Sequence, residues 1–137
     1  WQIGTRLALD HPANQFPLHD DDRHAILIAG GIGITPIKAM AQELKARGNT
    51  FELHYSGRTA AEMAYRDRLA IEFPGQLHLY STRESGATRI DLRSVMRAAP
   101  ADSLFYVCGP SRLIEAARVA ARELTIPAGR VQYESFE

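Results

Sequence analysis

Short apolar runs alternate with segments of helical periodicity from about residue 25 to the end of the chain. The runs that we predict as strands are Ala25–Ala29, Phe51–Tyr55, Leu77–Ser81, Leu104–Cys108 and Val131–Phe136. Strands that alternate with helices favour a parallel sheet, because each helix carries the chain back to the edge where the next strand starts. The chain is therefore predicted to have an α/β fold.

Four helices are predicted between these strands. The first ends at Gly48, a residue suited to the left-handed position that closes a helix. The second is predicted over about residues 61–71 and the third over Asp91–Met96. The fourth is identified by an apolar stripe of Leu113, Ala117, Ala120 and Leu124. These elements predict one domain over residues 25–137, a five-stranded parallel doubly wound (Rossmann-like) sheet with helices on both faces and strand order 3-2-1-4-5.

Residues 1–24 lie outside this rhythm. Pro12, Asn14 and Pro17 interrupt an extended segment, and the acidic residues 20–22 are typical of a solvated turn ahead of a first strand. We interpret residues 1–24 as a linker or as the last strand of a preceding domain.

Composition excludes several classes of function. The 137 residues contain 16 Lys and Arg against 16 Asp and Glu, so no net positive field draws the chain to nucleic acid. The sequence lacks an apolar run of the roughly 20 residues that a membrane span needs, and we expect a cytoplasmic protein. One cysteine cannot supply the thiolates of an iron–sulfur cluster, and the five histidines show no metal-ligand spacing. No metal site is therefore predicted.

A glycine-rich turn follows the first strand and opens the first helix. Its residues are Gly30-Gly31-Ile32-Gly33-Ile34-Thr35-Pro36. Glycines let the backbone turn tightly beside a bulky anion, while the helix start offers unpaired N–H groups. Thr35 can cap this helix or donate to a phosphate, and Pro36 fits the first helical turn. We predict a pyrophosphate site here, with the space for the anion kept open by the absence of a side chain at Gly33.

The turn alone leaves alternatives open, including a tight turn whose small residues serve packing only. The chain has no Gly-Lys-Ser or Gly-Lys-Thr sequence, which argues against a nucleoside triphosphatase. The usual dinucleotide fingerprint ends in a third glycine and places an acidic ribose partner after the second strand. Here Pro36 replaces that glycine, and the second strand ends in Tyr55-Ser56-Gly57-Arg58. The missing acidic residue also argues against a methyltransferase.

A second turn, Cys108-Gly109-Pro110, joins the fourth strand to the fourth helix. Ligands of open parallel sheets bind beyond the carboxyl ends of the strands, where the strand order reverses. If the first and fourth strands are neighbours, this turn and the glycine-rich turn line one crevice. A lone cysteine is otherwise most often a small buried residue without a chemical role.

Three segments together resemble the ferredoxin–NADP⁺ reductase superfamily. They are Gly-Gly-Ile-Gly-Ile-Thr-Pro after strand one, Ser-Gly-Arg after strand two and Cys-Gly-Pro after strand four. The most similar group is the phthalate dioxygenase reductase type, which includes vanillate demethylase and carnitine monooxygenase reductases. The resemblance implies an NAD(P)H-binding domain, with a flavin-binding barrel before it and a [2Fe–2S] ferredoxin-like domain after it on the same polypeptide.

The resemblance also implies roles for residues. Gly31, Gly33 and Thr35 would hold the pyrophosphate, while Cys108 and Gly109 would lie beside the nicotinamide, with Cys108 as the catalytic residue. Hydride would pass to the flavin, FMN in this group, and electrons would continue to a terminal oxygenase. The flavin-binding Arg-x-Tyr-Ser motif and the cluster cysteines are absent from these residues, so this domain alone is expected to be inactive. A non-catalytic dinucleotide-binding sensor or regulatory module is the alternative.

Two arginines bear on the choice of nucleotide. The group that the chain resembles prefers NADH. However, Ser56 and Arg58 lie near the end of strand two, and Arg83 lies just after strand three. These are the places where the adenosine ribose would lie. Thr82-Arg83-Glu84 also resembles the Ser-Arg-Glu stretch that binds the 2′-phosphate in plant-type NADP⁺ reductases. We therefore expect NADH as the main donor, with appreciable use of NADPH.

Overall fold

The computed structural model describes residues 18–57, 63–81 and 90–135. Its strands are β1 (Ala25–Gly30), β2 (Phe51–Gly57), β3 (Leu77–Ser81), β4 (Leu104–Gly109) and β5 (Val131–Ser135). They pair in parallel in one sheet of order β3-β2-β1-β4-β5. The predicted fold class and strand order are therefore confirmed.

The helices are α1 (Ile34–Arg47), α2 (Arg66–Glu72), α3 (Leu92–Ala98) and α4 (Ser111–Glu123), with short 3-10 turns at Gly31–Gly33 and Ala128–Arg130. Gly48 has a left-handed φ of 79° and ends α1, as predicted. The second helix begins later than predicted, because its N-cap Tyr65 has a φ of 63° that an α-helix interior does not accommodate. Asp91 caps α3 by accepting a hydrogen bond from the Ser94 N–H at 3.2 Å.

The side chains of β1 alternate between two apolar clusters. Ala25, Leu27 and Ala29 face the cluster that includes the buried residues of α1 and α2, while Ile26 and Ile28 face the cluster that includes those of α3 and α4. β1 and β4 are buried along their whole length, as expected for central strands with helices on both faces. β3 is an edge strand and is only partly buried.

The buried stripe of α4 differs from the predicted one. Its buried residues are Ile114, Ala117, Ala120 and Ala121, of which Ala117 and Ala120 belong to the predicted stripe. Leu113 and Leu124 are only partly buried. Leu113 is turned toward the carboxyl ends of β1 and β4, where its Cδ2 atom would lie 2.8 Å from a Cβ built on Gly30. Leu113 therefore covers a glycine instead of filling the centre of the core.

Residues 18–24 pack against the domain before β1 begins. The His19 N–H donates to Tyr106 Oη at 2.9 Å, and Arg47 Nη1 donates to the His19 carbonyl oxygen at 2.6 Å. The acidic residues 20–22 are exposed, as expected for a solvated turn, and Asp21 forms an ion pair with Arg23 at 2.8 Å. Among the described helices, none is long and apolar enough to cross a membrane.

Candidate functional site

The two glycine-containing turns meet at the carboxyl edge of the sheet. β1 pairs with β4 so that Ala29 lies opposite Cys108, which confirms that the first and fourth strands are neighbours. A Cβ built on Gly109 would lie 3.1 Å from the carbonyl oxygen of Gly30 and 3.2 Å from its nitrogen. The two backbones therefore approach closely, and both turns lie at one switch point of the strand order.

Gly31 and Gly33 are required at this edge for different reasons. Gly31 has a left-handed φ of 57°, and no described atom would lie within 4 Å of a Cβ added to it. Gly33 has an ordinary φ of −63°, but a Cβ there would lie 2.2 Å from the carbonyl oxygen of Cys108. The expected role of Gly33 in keeping space open for an anion is therefore corrected. Gly33 allows contact with β4, and the open space lies over Gly31.

α1 starts at this edge without a capping side chain. Its N-cap is Gly33, which has no side chain that could accept from the first turn. Of the two roles predicted for Thr35, the capping role is wrong, because the 3-10 turn places Thr35 inside the helix as the second residue, where it is exposed. Pro36 follows in the first helical turn, as predicted. Thr35 therefore leaves its hydroxyl at the surface of the helix start.

α4 starts at the second turn in the same way. Pro110 is its N-cap and makes no capping hydrogen bond with its side chain. Neither α1 nor α4 has an acidic residue in its first turn. The N–H groups at a helix start carry a partial positive charge that favours an anion. Two such starts at one edge therefore suit a ligand with phosphate groups.

The predicted contacts to the adenosine end are only partly described. Ser56 lies opposite Gly30 near the carboxyl end of β2, and it is half-buried. Ser56 is therefore at the same edge as the two turns. Arg58 and Arg83 lie outside the described residues, so their predicted role in binding a 2′-phosphate stays a prediction.

Cys108 lies at the end of β4, but its side chain is fully buried in the cluster that includes α1. This burial, with a smaller contribution from the nearby carboxylate of Glu134, raises the pKa of the Cys108 thiol to about 12. The thiol is therefore protonated at neutral pH and does not act as a thiolate nucleophile. The carbonyl oxygen of Cys108 is the atom against which Gly33 packs.

Glu134 is a residue of this edge that the sequence patterns did not single out. It lies directly opposite Cys108 on β5. Its Oε1 atom is buried and has no hydrogen-bond partner among the described residues. A buried oxygen without a donor is costly, so this position suits an N–H or O–H group of a ligand. The signal available in the sequence was an acidic residue inside the apolar strand pattern of residues 131–136.

These features define a class of protein. A doubly wound parallel sheet that carries two glycine turns and two uncapped helix starts at its switch point is a dinucleotide-binding α/β domain. Residues 27–119 match the family described as the oxidoreductase NAD-binding domain. The chain belongs to this family, and its ligand is a pyridine nucleotide.

The chain is similar to reductases of known systems. It is 41% identical over 138 residues to tetrachlorobenzoquinone reductase of Sphingobium chlorophenolicum, covering 98% of this chain and 42% of that protein. It is 35% identical over 135 residues to the carnitine monooxygenase reductase subunit of Escherichia coli (strain K12), covering 98% of this chain and 42% of that protein. The chain thus spans about two-fifths of the length of these relatives.

A solved structure supports the same assignment. Phthalate dioxygenase reductase, described as a modular structure for electron transfer from pyridine nucleotides to [2Fe–2S], matches with a TM-score of 0.79 and 33% identity. The match covers 88% of this chain and 38% of that chain. The resemblance to the ferredoxin reductase superfamily and to its phthalate dioxygenase reductase group is therefore confirmed.

Proposed function

We propose that this chain is the nucleotide-binding domain of a flavoprotein reductase that serves a terminal oxygenase. NADH is the main donor and NADPH a second one, while FMN and a [2Fe–2S] cluster belong to other domains of the same polypeptide. The carnitine monooxygenase reductase subunit and the modular phthalate dioxygenase reductase support this assembly. The observation that carries the proposal is the meeting of two glycine turns and two uncapped helix starts at one edge.

The described residues fit the pyrophosphate part of a dinucleotide. The surface over Gly31 is open, since no described atom would lie within 4 Å of a Cβ there. Thr35 is exposed in the adjoining first turn of α1 and can donate its hydroxyl to a phosphate oxygen. Because no acidic side chain stands in that turn, the helix start retains its attraction for an anion.

The nicotinamide part would lie over the end of β4. Gly109 brings the backbone of this strand close to β1, and Glu134 offers a buried carboxylate oxygen that lacks a donor among the described residues. The amide N–H₂ of a nicotinamide is a donor of the required kind, so Glu134 would orient the ring. When bound, the reduced nucleotide supplies hydride to a flavin, and the chain contributes proximity and orientation.

Experiments on the chain by itself test whether it binds the nucleotide but needs a separate flavin domain for electron transfer. We expect the full chain to bind NADH weakly and to show no diaphorase activity until a flavin domain is supplied, because half of the catalytic centre would reside there. Calorimetric titration with NADH and a diaphorase assay with an artificial acceptor measure the two properties. Robust electron transfer without flavin would overturn the proposal, and so would the absence of any NADH binding.

A further inference from the structure

A polar cluster lies on the β2–β3 side of the sheet, away from the glycine turns. Glu52 and His54 alternate with buried apolar residues on β2, so both point to the face that carries Ile26 and Ile28 of β1. His78 lies directly opposite His54 on β3. The pairing of the strands therefore places one carboxylate and two imidazoles side by side.

The donor atoms of the three residues converge. His54 Nε2 lies 3.0 Å from Glu52 Oε1, and one donor atom from each of Glu52, His54 and His78 lies within 4.8 Å of the other two. In a tetrahedral zinc site with bonds of about 2.0–2.2 Å, neighbouring ligand atoms are roughly 3.3–3.6 Å apart. The Glu52–His54 pair is already near that spacing, and only His78 has to move closer.

A second set of contacts holds the first two residues in place. His54 Nδ1 lies 2.8 Å from Tyr80 Oη, which leaves Nε2 directed at Glu52. The other carboxylate oxygen of Glu52 lies 3.4 Å from His24 Nε2, and His24 Nδ1 is hydrogen-bonded to Thr50 Oγ1 at 2.9 Å. Hydroxyl and imidazole partners of this kind fix the orientation and tautomer of metal-binding histidines.

Burial distinguishes the cluster from ordinary surface histidines. The side chain of His54 is only 4% exposed, while that of Glu52 is 37% exposed. An imidazole buried beside a carboxylate, with a second imidazole directly opposite it, is an arrangement that a shared cation stabilises.

We propose that Glu52, His54 and His78 bind one divalent transition-metal ion of the zinc type, with the fourth position open to solvent. Imidazole nitrogen and carboxylate oxygen are the donors that zinc prefers alongside thiolate, and three protein ligands plus water is a common zinc arrangement. The rings of His54 and His78 are now stacked, with centroids 4.5 Å apart and planes 9° from parallel. Binding turns the exposed His78 ring out of this stack, so that its nitrogen reaches the ion.

The ion would join the edge strand to the interior of the sheet. β3 pairs with β2 alone, and the ligands come from both strands. A metal that binds the folded chain and not the unfolded one stabilises the fold according to its free concentration. We therefore assign the site a structural role at the β3 edge, independent of the nucleotide.

Zinc titration of the full chain tests the proposal. The protein must be untagged, because a polyhistidine tag would itself bind zinc. Calorimetry with zinc chloride should give one site per chain, and zinc should raise the melting temperature. His78→Asn changes an exposed residue and should fold normally, yet it should weaken binding about tenfold or more. Glu52→Gln should do the same.

A histidine outside the cluster provides the control. His19→Gln should bind zinc as the wild type does, because His19 lies near Tyr106 on β4 and not at the cluster. Cobalt(II) gives a second measurement, since a visible absorption band typical of tetrahedral coordination should form in the wild type and be lost in His78→Asn. Absence of a one-to-one complex, or equal zinc affinity of wild type and His78→Asn, would overturn the proposal.

Discussion

The centre of the sheet and its β2–β3 side are built for ligands in opposite ways. At β1 and β4 the site consists largely of backbone, because Gly33 and Gly109 bring main chains so close that side chains are excluded. On the β2–β3 side the ligand groups are side chains, such as those of His54 and His78, that stand on a partly open face. A site made of backbone can be predicted from a contiguous glycine motif in the sequence. A side-chain cluster depends on strand pairing, which the sequence motif does not show.

The strongest test of this contrast is at the two glycines of the first turn. We expect Gly33→Val to lower the free energy of unfolding by about 3 kcal/mol, at the upper end of overpacking effects. The reason is that its Cβ would lie 2.2 Å from the Cys108 carbonyl oxygen, a backbone atom with little freedom to move. Urea unfolding followed by circular dichroism measures the change.

Gly31→Ala is the matched control. Its Cβ enters open space, so only the left-handed φ is costly, at about 1 kcal/mol. The added methyl group should nevertheless lower NADH affinity in a calorimetric titration, because it occupies the surface proposed for the pyrophosphate. If Gly33→Val were as stable as the wild type, the backbone contact between the turns would be refuted.

The arginines that follow β2 and β3 in the sequence should decide which nucleotide is used. We expect Arg58→Ala and Arg83→Ala to lower kcat/KM for NADPH selectively in the intact reductase. A guanidinium paired with the 2′-phosphate contributes about 1.5–3 kcal/mol, or roughly tenfold to a hundredfold. Steady-state kinetics with both nucleotides measure the effect. A loss shared equally by NADH and NADPH would rule out a 2′-phosphate contact for that arginine.

Glu134 differs from the rest of the proposed nucleotide site at β1 and β4, because it contributes a side chain where the other groups are backbone. Glu134→Gln keeps the shape but replaces a charged acceptor with a neutral one, so NADH affinity should fall by about 1 kcal/mol, or roughly fivefold. Fluorescence titration with NADH measures this change. Glu115→Gln, at an exposed position of α4, is the control and should be neutral. Tighter binding by the Glu134 variant would show that the carboxylate does not accept from the ligand.

The smallest effect is expected at Cys108. In the intact reductase, Cys108→Ala should slow flavin reduction a few-fold with little change in nucleotide affinity, as stopped-flow absorbance can measure. The folded-state pKa of about 12 lies above the ordinary 9.0, so the folded chain retains this proton longer than the unfolded chain. The protonated Cys108 thiol therefore makes its full contribution to the free energy of unfolding below pH 9, and this contribution is lost as the pH rises toward 12.

The pH dependence gives a second measurement on the same variant. Wild type should lose stability between about pH 9 and 12 faster than Cys108→Ala, so the difference between their unfolding free energies should shrink. A difference that stays constant would mean that the thiol does not titrate in this range. An unchanged rate of flavin reduction would show that Cys108 contributes to packing and not to hydride transfer.

Much of the fold could be predicted because its strands and helix ends depend on residues that are contiguous in the sequence. The limits of β3 match the prediction, and α1 ends at Gly48 because that residue alone supplies the left-handed turn. The start of α2 was missed, since the positive φ of Tyr65 is a local conformation that its residue type does not specify. In the predicted stripe of α4, Ala117 and Ala120 are buried as expected, whereas Leu113 is only partly buried because it also covers the glycine turns.

The side chains of the site were harder to predict. Glu134 faces Cys108 through the register of β4 with β5, and His54 faces His78 through the register of β2 with β3. The spacing of residues along the chain does not predict either pairing. The same limit explains why Gly33 was correctly placed at the turn but given the wrong reason, since its contact is with a strand distant in sequence.

The central position of β1 also has a consequence for how the chain folds. Its pairing with β4 joins Ala25 to Leu104, with two strands and three helices lying between them in sequence. Closing so long a loop costs conformational entropy before the contacts of the pair can form, so we expect this pairing to form late in folding. The nucleotide-binding edge straddles that pairing and is complete only once it has closed. We therefore expect a bound nucleotide to stabilise the native state more than the folding transition state, and so to slow unfolding without speeding folding.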